Sequence, residues 1–255
     1  MTTEVKAKSA TDRKFLLVVV AVLVVAILVT AVLAILRSGR AVSDEEVSAS
    51  APSLFSDNGF YVDENGVAMK KPALADTKQL VVLFDPQCPG CKSIHDVLGD
   101  LPFQLMKENK YAIKFVPLSF LDQVSSDGYS SRATSAIWTV VDKSPDHTLA
   151  FINKLFKNQP GEGAEYKPVT DDMISEWAVQ VGVPKSVTNT FKNEKWIAWS
   201  RGNTQSAFKN VDFFPSTEIS TPRYAMFKNG EWVQWDYSAA KNNDDVRESF
   251  KELVK

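Results

Sequence analysis

The chain of 255 residues contains two cysteines, and both lie in one short motif, Cys88-Pro89-Gly90-Cys91. The motif closely follows the apolar run 80–84, which has the length of a buried strand. A chain whose only cysteines form a C-x-x-C pair is typical of proteins that use them for chemistry. Three structures remain compatible with the pair at this stage: a redox dithiol, half of a metal site, or a disulfide across a tight turn.

The most apolar segment is 15–36, a run of 22 residues with no charge and one hydroxyl, Thr30. As a helix it would be about 33 Å long, enough to cross the hydrocarbon core of a bilayer. A buried core helix would have a polar face, and a cleaved signal peptide would have a shorter apolar region before a small-residue cleavage site. We therefore predict one N-terminal transmembrane helix that is retained as an anchor.

The charges that flank this segment predict its orientation. Four basic residues precede it and two follow it, which favours a cytoplasmic N-terminus for the tail 1–14 and an extracytoplasmic location for the rest. That compartment is oxidising in bacteria, so a dithiol there can cycle through a disulfide. The six flanking residues are Lys6, Lys8, Arg13, Lys14, Arg37 and Arg40.

Composition divides the remainder of the chain into a linker and one globular part. Residues 37–53 are rich in small, polar and charged types, as linkers are. The roughly 200 residues that follow have the size of one domain with room for an inserted subdomain. Without the first 40 residues the chain has 23 basic and 29 acidic residues, a net charge of −6. This balance argues against nucleic acid as a partner.

Hydrophobic periodicity predicts strands on both sides of a helical block. The helical block is 125–210, with Thr170 or Asp171 as the cap of one helix and Gly182 as its end. The cysteine helix should run from 91 to 109 and be broken or kinked at Pro102. The predicted strands and the closing helix are 60–62, 67–69, 80–84, 111–118, the hairpin 223–227 with 232–237, and helix 243–254.

Removal of the helical block leaves strand-helix units around one sheet, which predicts the α/β class. A dithiol at a strand-to-helix junction of such a unit is typical of thioredoxin-like redox motifs. We therefore predict a thioredoxin-like fold in which residues 54–124 and 211–255 form the main domain and residues 125–210 form an all-helical insertion.

The pattern resembles the DsbA-like thiol-disulfide oxidoreductases of the thioredoxin superfamily, over about 60–255. Two segments carry the resemblance: 84–92, Phe-Asp-Pro-Gln-Cys-Pro-Gly-Cys-Lys, and 220–227, Ser-Thr-Pro-Arg-Tyr-Ala-Met-Phe. The resemblance implies a cis-proline at Pro222, after Thr221, at the start of the strand that faces the dithiol. It also implies that a helical insertion separates the two segments.

The same resemblance implies the roles of the site residues. The catalytic residues would be Cys88, Cys91 and Pro222, with Cys88 and Cys91 forming the redox-active disulfide. Thr221, Pro89 and Gly90 would contact the substrate, and the site would need no cofactor and no metal. The partners would be reduced or unfolded secreted polypeptides and a membrane quinone-linked protein that re-oxidises the dithiol.

The sequence departs from the family pattern at two places. The position six residues before the first cysteine, where many members have a buried acid, is Val82. The nearest carboxylate is Asp85, and the sequence leaves open whether it takes over that role. Between the cysteines stands Pro-Gly rather than the Pro-His of the strongest oxidants, so Gly90 provides no side-chain donor to the sulfur.

The residue types suit disulfide exchange, in which a thiolate is the attacking species. Cys88 should lie at a helix N-terminus, where unpaired N–H groups favour negative charge. Pro89 fits the first helical turn. Cys91, one turn deeper, should be the less exposed resolving thiol of higher pKa. With Gly90 in place of histidine, we expect an oxidant of intermediate strength.

Other activities remain as alternatives. The same fold can serve as a disulfide reductase or isomerase. A tethered copper or zinc module is the second alternative, because His95 lies four residues after Cys91, on the same helical face. A purely structural disulfide is disfavoured, because a loop this short constrains little of the unfolded chain.

Overall fold

The apolar runs of the sequence form the strands of a single sheet in the computed structural model, which describes residues 47, 50–72, 78–210 and 220–255. All of the described residues belong to one compact unit. The strands are β1 (Phe60–Val62), β2 (Ala68–Met69), β3 (Lys78–Phe84), β4 (Tyr111–Pro117), β5 (Arg223–Lys228) and β6 (Glu231–Gln234). The predicted strands are therefore confirmed, with ends that differ by a few residues.

The strand order is β2-β1-β4-β3-β5-β6. β3 and β4 pair in parallel with Leu80 opposite Ile113, whereas the other neighbours pair antiparallel. β3 lies between β4 and β5, and its last five residues are all buried. The sequence that follows β3 therefore leaves the middle of the sheet, and this places the cysteine motif at the edge where β5 begins.

Helices pack on both faces of this sheet. They are α1 (Pro89–Leu98), α2 (Leu101–Asn109), α3 (Tyr129–Lys143), α4 (Thr148–Lys157), α5 (Asp171–Gln180), α6 (Lys185–Thr188), α7 (Glu194–Asn210) and α8 (Asn243–Val254). The predicted cap at Thr170 is confirmed, because its side chain accepts from the Met173 N–H. Asn242, which the sequence analysis did not single out, caps α8 by accepting from the Asp244 and Asp245 N–H groups. Short 3₁₀ turns occur at Asp122–Val124, Pro145–His147 and Gly163–Glu165.

The prediction that Pro102 interrupts the cysteine helix was wrong in position. α1 ends before Gly99, whose φ of +51° and ψ of −127° lie outside the helical region. Pro102 lies in the first turn of α2, where its missing N–H is not needed by the helix. The interruption therefore comes from the glycine, and the proline begins the next helix.

Alternate residues of the central strands face two apolar clusters. Leu80, Val82 and Phe84 face the larger cluster, which also contains buried side chains of α1, α4 and α8. Val81 and Leu83 face a smaller cluster with Ala207 of α7. This alternation is the period of two expected of a strand covered on both faces.

The helices of 125–210 share the larger cluster with the sheet. Trp138 of α3 packs edge to face on Phe60 of β1, with ring centroids 5.3 Å apart. Phe156 of α4 contacts Phe84 of β3 at 5.6 Å. The helical block is thus continuous with the core on the side of the sheet where α1 lies.

Several predicted segments fall outside the described residues: the tail 1–14, the anchor 15–36, most of the linker 37–53, and 211–219 of the main domain. Within the part of the chain that the structure describes, no helix is both long enough and apolar enough to span a bilayer.

Candidate active site

Cys88 begins the helix that carries the dithiol. The chain turns after β3, with the Cys88 N–H bonded to the Asp85 carbonyl at 3.0 Å. Cys88 then serves as the N-cap of α1, and its sulfur accepts a hydrogen bond from the Cys91 N–H at 3.3 Å. Pro89 is the first helical residue. The predicted position of the first sulfur at a helix N-terminus is confirmed.

The two thiols differ in exposure and in acidity. Cys88 is 6% exposed and Cys91 is 2% exposed. A hydrogen bond from the Cys91 thiol, helped by the N–H groups of Cys91 and Gly90, lowers the pKa of Cys88 to about 6 against the opposing effect of burial. Burial and the neighbouring Cys88 sulfur raise the pKa of Cys91 well above its ordinary value. At neutral pH the site therefore combines an ionised outer sulfur with a protonated inner one.

The predicted partner segment lies against this motif. The Thr221–Pro222 peptide bond is cis, as the family resemblance implied. In its protonated form, the Cys88 thiol donates to the Thr221 carbonyl at 3.3 Å. A Cβ atom on Gly90 would lie 3.2 Å from Cδ of Pro222. The structure thus brings together the six residues singled out in the sequence, although it does not test their individual roles.

Asp85 is buried beside the motif, but its carboxylate is occupied by groups other than thiols. One oxygen accepts from the Gln87 N–H at 2.8 Å, and the other accepts from Ser130 Oγ at 2.6 Å and from the N–H groups of Phe120 and Leu121. Burial raises its pKa to about 7 despite these donors. Asp85 therefore joins the turn before Cys88 to the start of α3 and to the segment after β4.

A cavity of about 170 Å³ lies between α1 and α4, behind the inner sulfur. Cys91 and Pro222 form part of its lining, together with apolar residues of the sheet and of α4 such as Val82 and Ile152. The lining contains no tryptophan among the described residues. Cys91 itself is 2% exposed, and this burial is the largest cause of its raised pKa.

His95, the third residue of the alternative metal site, packs on an aromatic ring. Its imidazole lies 4.8 Å from the ring of Phe156, and burial lowers its pKa. Across the described ranges, the structure contains no group of three His, Cys, Asp or Glu side chains placed to hold a metal ion.

Four further residues near the dithiol were given no role by the sequence analysis. The amide of Gln159 contacts the backbone of the cysteine motif, and Gln87 is fully buried beside it. Burial raises the pKa values of Tyr224 and Tyr237, and the negative charge that Cys91 carries once it ionises adds to both shifts. Tyr224 could have been found from its position two residues after Pro222, whereas Gln159 lies 71 residues from Cys88 and has no local signal.

By sequence, no protein-family model and no curated protein matches the chain. By structure, the chain is similar to the MdbA thiol-disulfide oxidoreductase from Actinomyces oris, with 22% identity, a TM-score of 0.56, and coverage of 82% of this chain and 91% of the other. It is similar to DsbA from Mycobacterium tuberculosis at 22% identity and a TM-score of 0.54, over 77% of this chain and 99% of the other.

BdbD from Bacillus subtilis aligns at 19% identity with a TM-score of 0.53, over 80% of this chain and 94% of the other. These alignments cover most of the length of each relative, so the likeness extends beyond the cysteine motif to the sheet and the helical block. The chain therefore shares its thioredoxin-like α/β fold with the DsbA and MdbA structures.

Proposed function

We propose that this protein is an extracytoplasmic thiol-disulfide oxidoreductase that introduces disulfides into secreted or cell-envelope polypeptides. The observation that carries the proposal is the position of Cys88, whose sulfur caps α1 and whose pKa is lowered to about 6. The structural relatives include proteins described as thiol-disulfide oxidoreductases, and their fold is shared over most of this chain.

The exchange would begin with the Cys88–Cys91 disulfide. A substrate thiolate attacks the Cys88 sulfur, and Cys91 leaves and takes up a proton because its thiolate is disfavoured by burial. A second substrate thiolate then attacks the substrate sulfur of the mixed disulfide, and Cys88 leaves as a thiolate. The substrate loses two electrons and the dithiol gains them. The low pKa of Cys88 favours the reduced form and makes the disulfide oxidising.

Re-oxidation closes the cycle. The two electrons would pass from the dithiol to a membrane quinone-linked protein, in keeping with an N-terminal anchor at residues 15–36. Pro222, Thr221, Pro89 and Gly90 surround the outer sulfur and would contact the substrate segment that carries the attacking cysteine.

Oxidative refolding of reduced ribonuclease and reduction of insulin, run in parallel, test the activity and its direction. We expect the oxidised protein to restore ribonuclease activity, Cys88→Ser to abolish exchange, and Cys91→Ser to accumulate mixed disulfides with substrate. Full activity of Cys91→Ser without trapped adducts would contradict the roles of the two sulfurs.

Titration against glutathione separates an oxidase from the alternatives. We expect a reduction potential between those of thioredoxin, about −270 mV, and DsbA, about −120 mV. A value at the thioredoxin end, together with rapid insulin reduction, would favour the reductase or isomerase on the same fold.

A further inference from the structure

Two glutamine side chains join the turn before Cys88 to the segment that follows α4. The Gln159 side-chain amide donates to the Pro86 carbonyl at 2.7 Å and to the Cys88 carbonyl at 3.0 Å. In the opposite direction, the Gln87 side-chain amide donates to the Gly161 carbonyl at 3.2 Å. We call Gln87 and Gln159 the glutamine pair. Its three bonds connect positions that are 71 to 74 residues apart in the sequence.

The burial of Gln87 indicates that these bonds are not incidental. Gln87 is 0% exposed, and its Oε1 is buried without a hydrogen-bond partner among the described residues. A buried acceptor without a donor is unfavourable, and an apolar side chain of similar volume would avoid that cost. Gln87 offsets this cost through the hydrogen bond that its side-chain amide donates to the Gly161 carbonyl. This bond fixes the segment after α4 against the turn before Cys88.

Gln159 acts on the peptide group that orients the outer sulfur. The Cys88 carbonyl accepts from the Lys92 N–H at 3.2 Å in the first turn of α1, while the Cys88 sulfur accepts from the Cys91 N–H at 3.3 Å. A rotation of this peptide would weaken the second bond. By holding the Pro86 and Cys88 carbonyls, Gln159 keeps the sulfur within reach of the helix N-terminus. Its N–H groups also turn the positive end of the amide dipole toward Cys88, which favours the thiolate.

We propose that Gln159 is a positioning residue through which the helical insertion holds the Cys88 sulfur against the first turn of α1 and so favours its thiolate. The inference deepens the proposed function, since it takes Cys88 as the attacking thiol, and it predicts an effect that the exchange mechanism alone does not require. In thioredoxin-like chains without such an insertion the turn would lack this support, so the insertion contributes to the reactivity of the dithiol as well as to the core.

The test is the pH dependence of Cys88 alkylation in the reduced full chain, followed by mass spectrometry of the peptide that contains the motif. Gln159→Met keeps the length of the side chain and removes its donors. We expect the midpoint of the alkylation profile to rise by about half a pH unit to one unit, so that alkylation of Cys88 at pH 5.5 slows by roughly three- to eightfold. Gln159→Glu directs carboxylate oxygens at the same two carbonyls and should raise the midpoint further.

Asn158→Ala is the matched control, because the Asn158 side chain donates to the Lys154 carbonyl within its own helix. It should leave the midpoint where it is in the unmodified chain. A lower Tm for Gln159→Met with an unchanged midpoint would overturn the proposal, since a merely structural contact changes stability alone. If Gln159→Met does not fold, Gln159→Glu decides: an unshifted midpoint in that variant is equally fatal.

The outcome also separates this inference from the proposed function. A midpoint near the ordinary thiol value in the unmodified chain would contradict the proposed function itself. A midpoint near 6 that is insensitive to both Gln159 substitutions would contradict only the role of Gln159.

Discussion

Cys88 and Cys91 have opposite acidities although they are three residues apart on one helical turn. The largest favourable contact of the Cys88 thiolate is the hydrogen bond from the Cys91 thiol, and the backbone donors of α1 come after it. Cys91 is placed one turn deeper, where burial is the largest cause of its raised pKa. The inner thiol therefore stabilises the ionised form of the outer one while remaining protonated itself.

Cys91→Ala should consequently raise the pKa of Cys88. We expect the midpoint of Cys88 alkylation to move from about 6 toward the ordinary thiol value, because the strongest donor is lost while the backbone N–H groups remain. Cys91→Ser retains a hydroxyl donor and should give a smaller shift. Rates of iodoacetamide modification between pH 4.5 and 9 measure both variants, and identical midpoints in all three chains would show that the inner thiol has no such effect.

Asp85 makes stability depend on pH in a direction opposite to that of most carboxylates. Its pKa is raised from 3.8 to about 7 by burial, so between these values the folded chain holds a proton that the unfolded chain has lost. The free energy of unfolding therefore falls as the pH rises through this window, and the contribution is lost above pH 7. Four hydrogen-bond donors reduce this effect without reversing it.

Asp85→Asn should remove this dependence, because an amide has no proton to lose. Between about pH 4 and pH 7 we expect the free energy of unfolding of the unmodified chain to fall by a few kcal/mol. The contribution of position 85 in Asp85→Asn should stay constant over the same range, so the difference between the two chains grows with pH. Urea unfolding of both chains at pH 4.5, 6 and 7.5 gives the difference directly. Parallel pH profiles for the two chains would mean that Asp85 titrates normally.

At the scale of the elements, the sequence predicted a strand or helix well where a short apolar pattern, a turn sequence or a capping residue determines its position. β3 follows from an apolar run of strand length, and the β5–β6 hairpin follows from its Asn229-Gly230 turn. α8 has the predicted bounds, because Asn242 caps it and its apolar face is regular. In each case the deciding residues lie within a few positions of one another.

α3 shows why other elements could not be fully predicted. The helical spacing of its apolar residues indicates one buried face, at Ala133, Ile137, Val140 and Val141, whereas 12 of its 15 residues are buried. Two of the small polar residues on its other faces bond distant parts of the chain: Ser130 bonds Asp85, and Thr134 bonds the Leu118 carbonyl. Such partners become apparent only when the tertiary structure is known, and the same holds for Gln159.

The break between α1 and α2 offers a test at this scale. Gly99 and Lys110 both follow a helix with positive φ, but Gly99 has a ψ of −127° and Lys110 has a ψ of +56°. Only the second is the left-handed region that residues with a Cβ adopt at modest cost. We expect Gly99→Ala to lower the free energy of unfolding by about 1–3 kcal/mol, although no atom lies within 4 Å of the added carbon.

Lys110→Gly is the matched control and should change stability by less than about 1 kcal/mol. Thermal and urea unfolding measure both variants. A larger loss for Lys110→Gly than for Gly99→Ala would show that the side chains, and not the backbone conformations, determine the effect.

At the scale of the whole molecule, the candidate site depends on segments that are far apart in the sequence. The Cys88 sulfur contacts the carbonyl of Thr221, which lies 133 positions away. The Cys88 carbonyl accepts a hydrogen bond from the side-chain amide of Gln159, which belongs to the insertion. The surroundings of the Cys88 sulfur are therefore complete only after the sheet and the insertion have packed together. The sequence also predicts that an N-terminal segment tethers the chain that carries this site to a membrane.

We expect that tether to cross the membrane once, with the dithiol outside the cytoplasm. The apolar run 15–36 is long enough to span a bilayer, and its basic flanks favour a cytoplasmic N-terminus. The prediction can be tested in a chain whose native cysteines are replaced by serine and which carries one new cysteine. Ser9→Cys reports on the tail, and Lys241→Cys reports on an exposed position of the folded unit.

In intact cells, a membrane-impermeant maleimide should label Lys241→Cys directly and Ser9→Cys only after permeabilisation. The full chain should also stay in the membrane pellet after an alkaline carbonate wash, and deletion of 15–36 should release it. The reverse labelling pattern would place the dithiol in the cytoplasm, where thiols are kept reduced. A disulfide-forming role would then be excluded, because the reducing surroundings would keep Cys88 and Cys91 in the dithiol form.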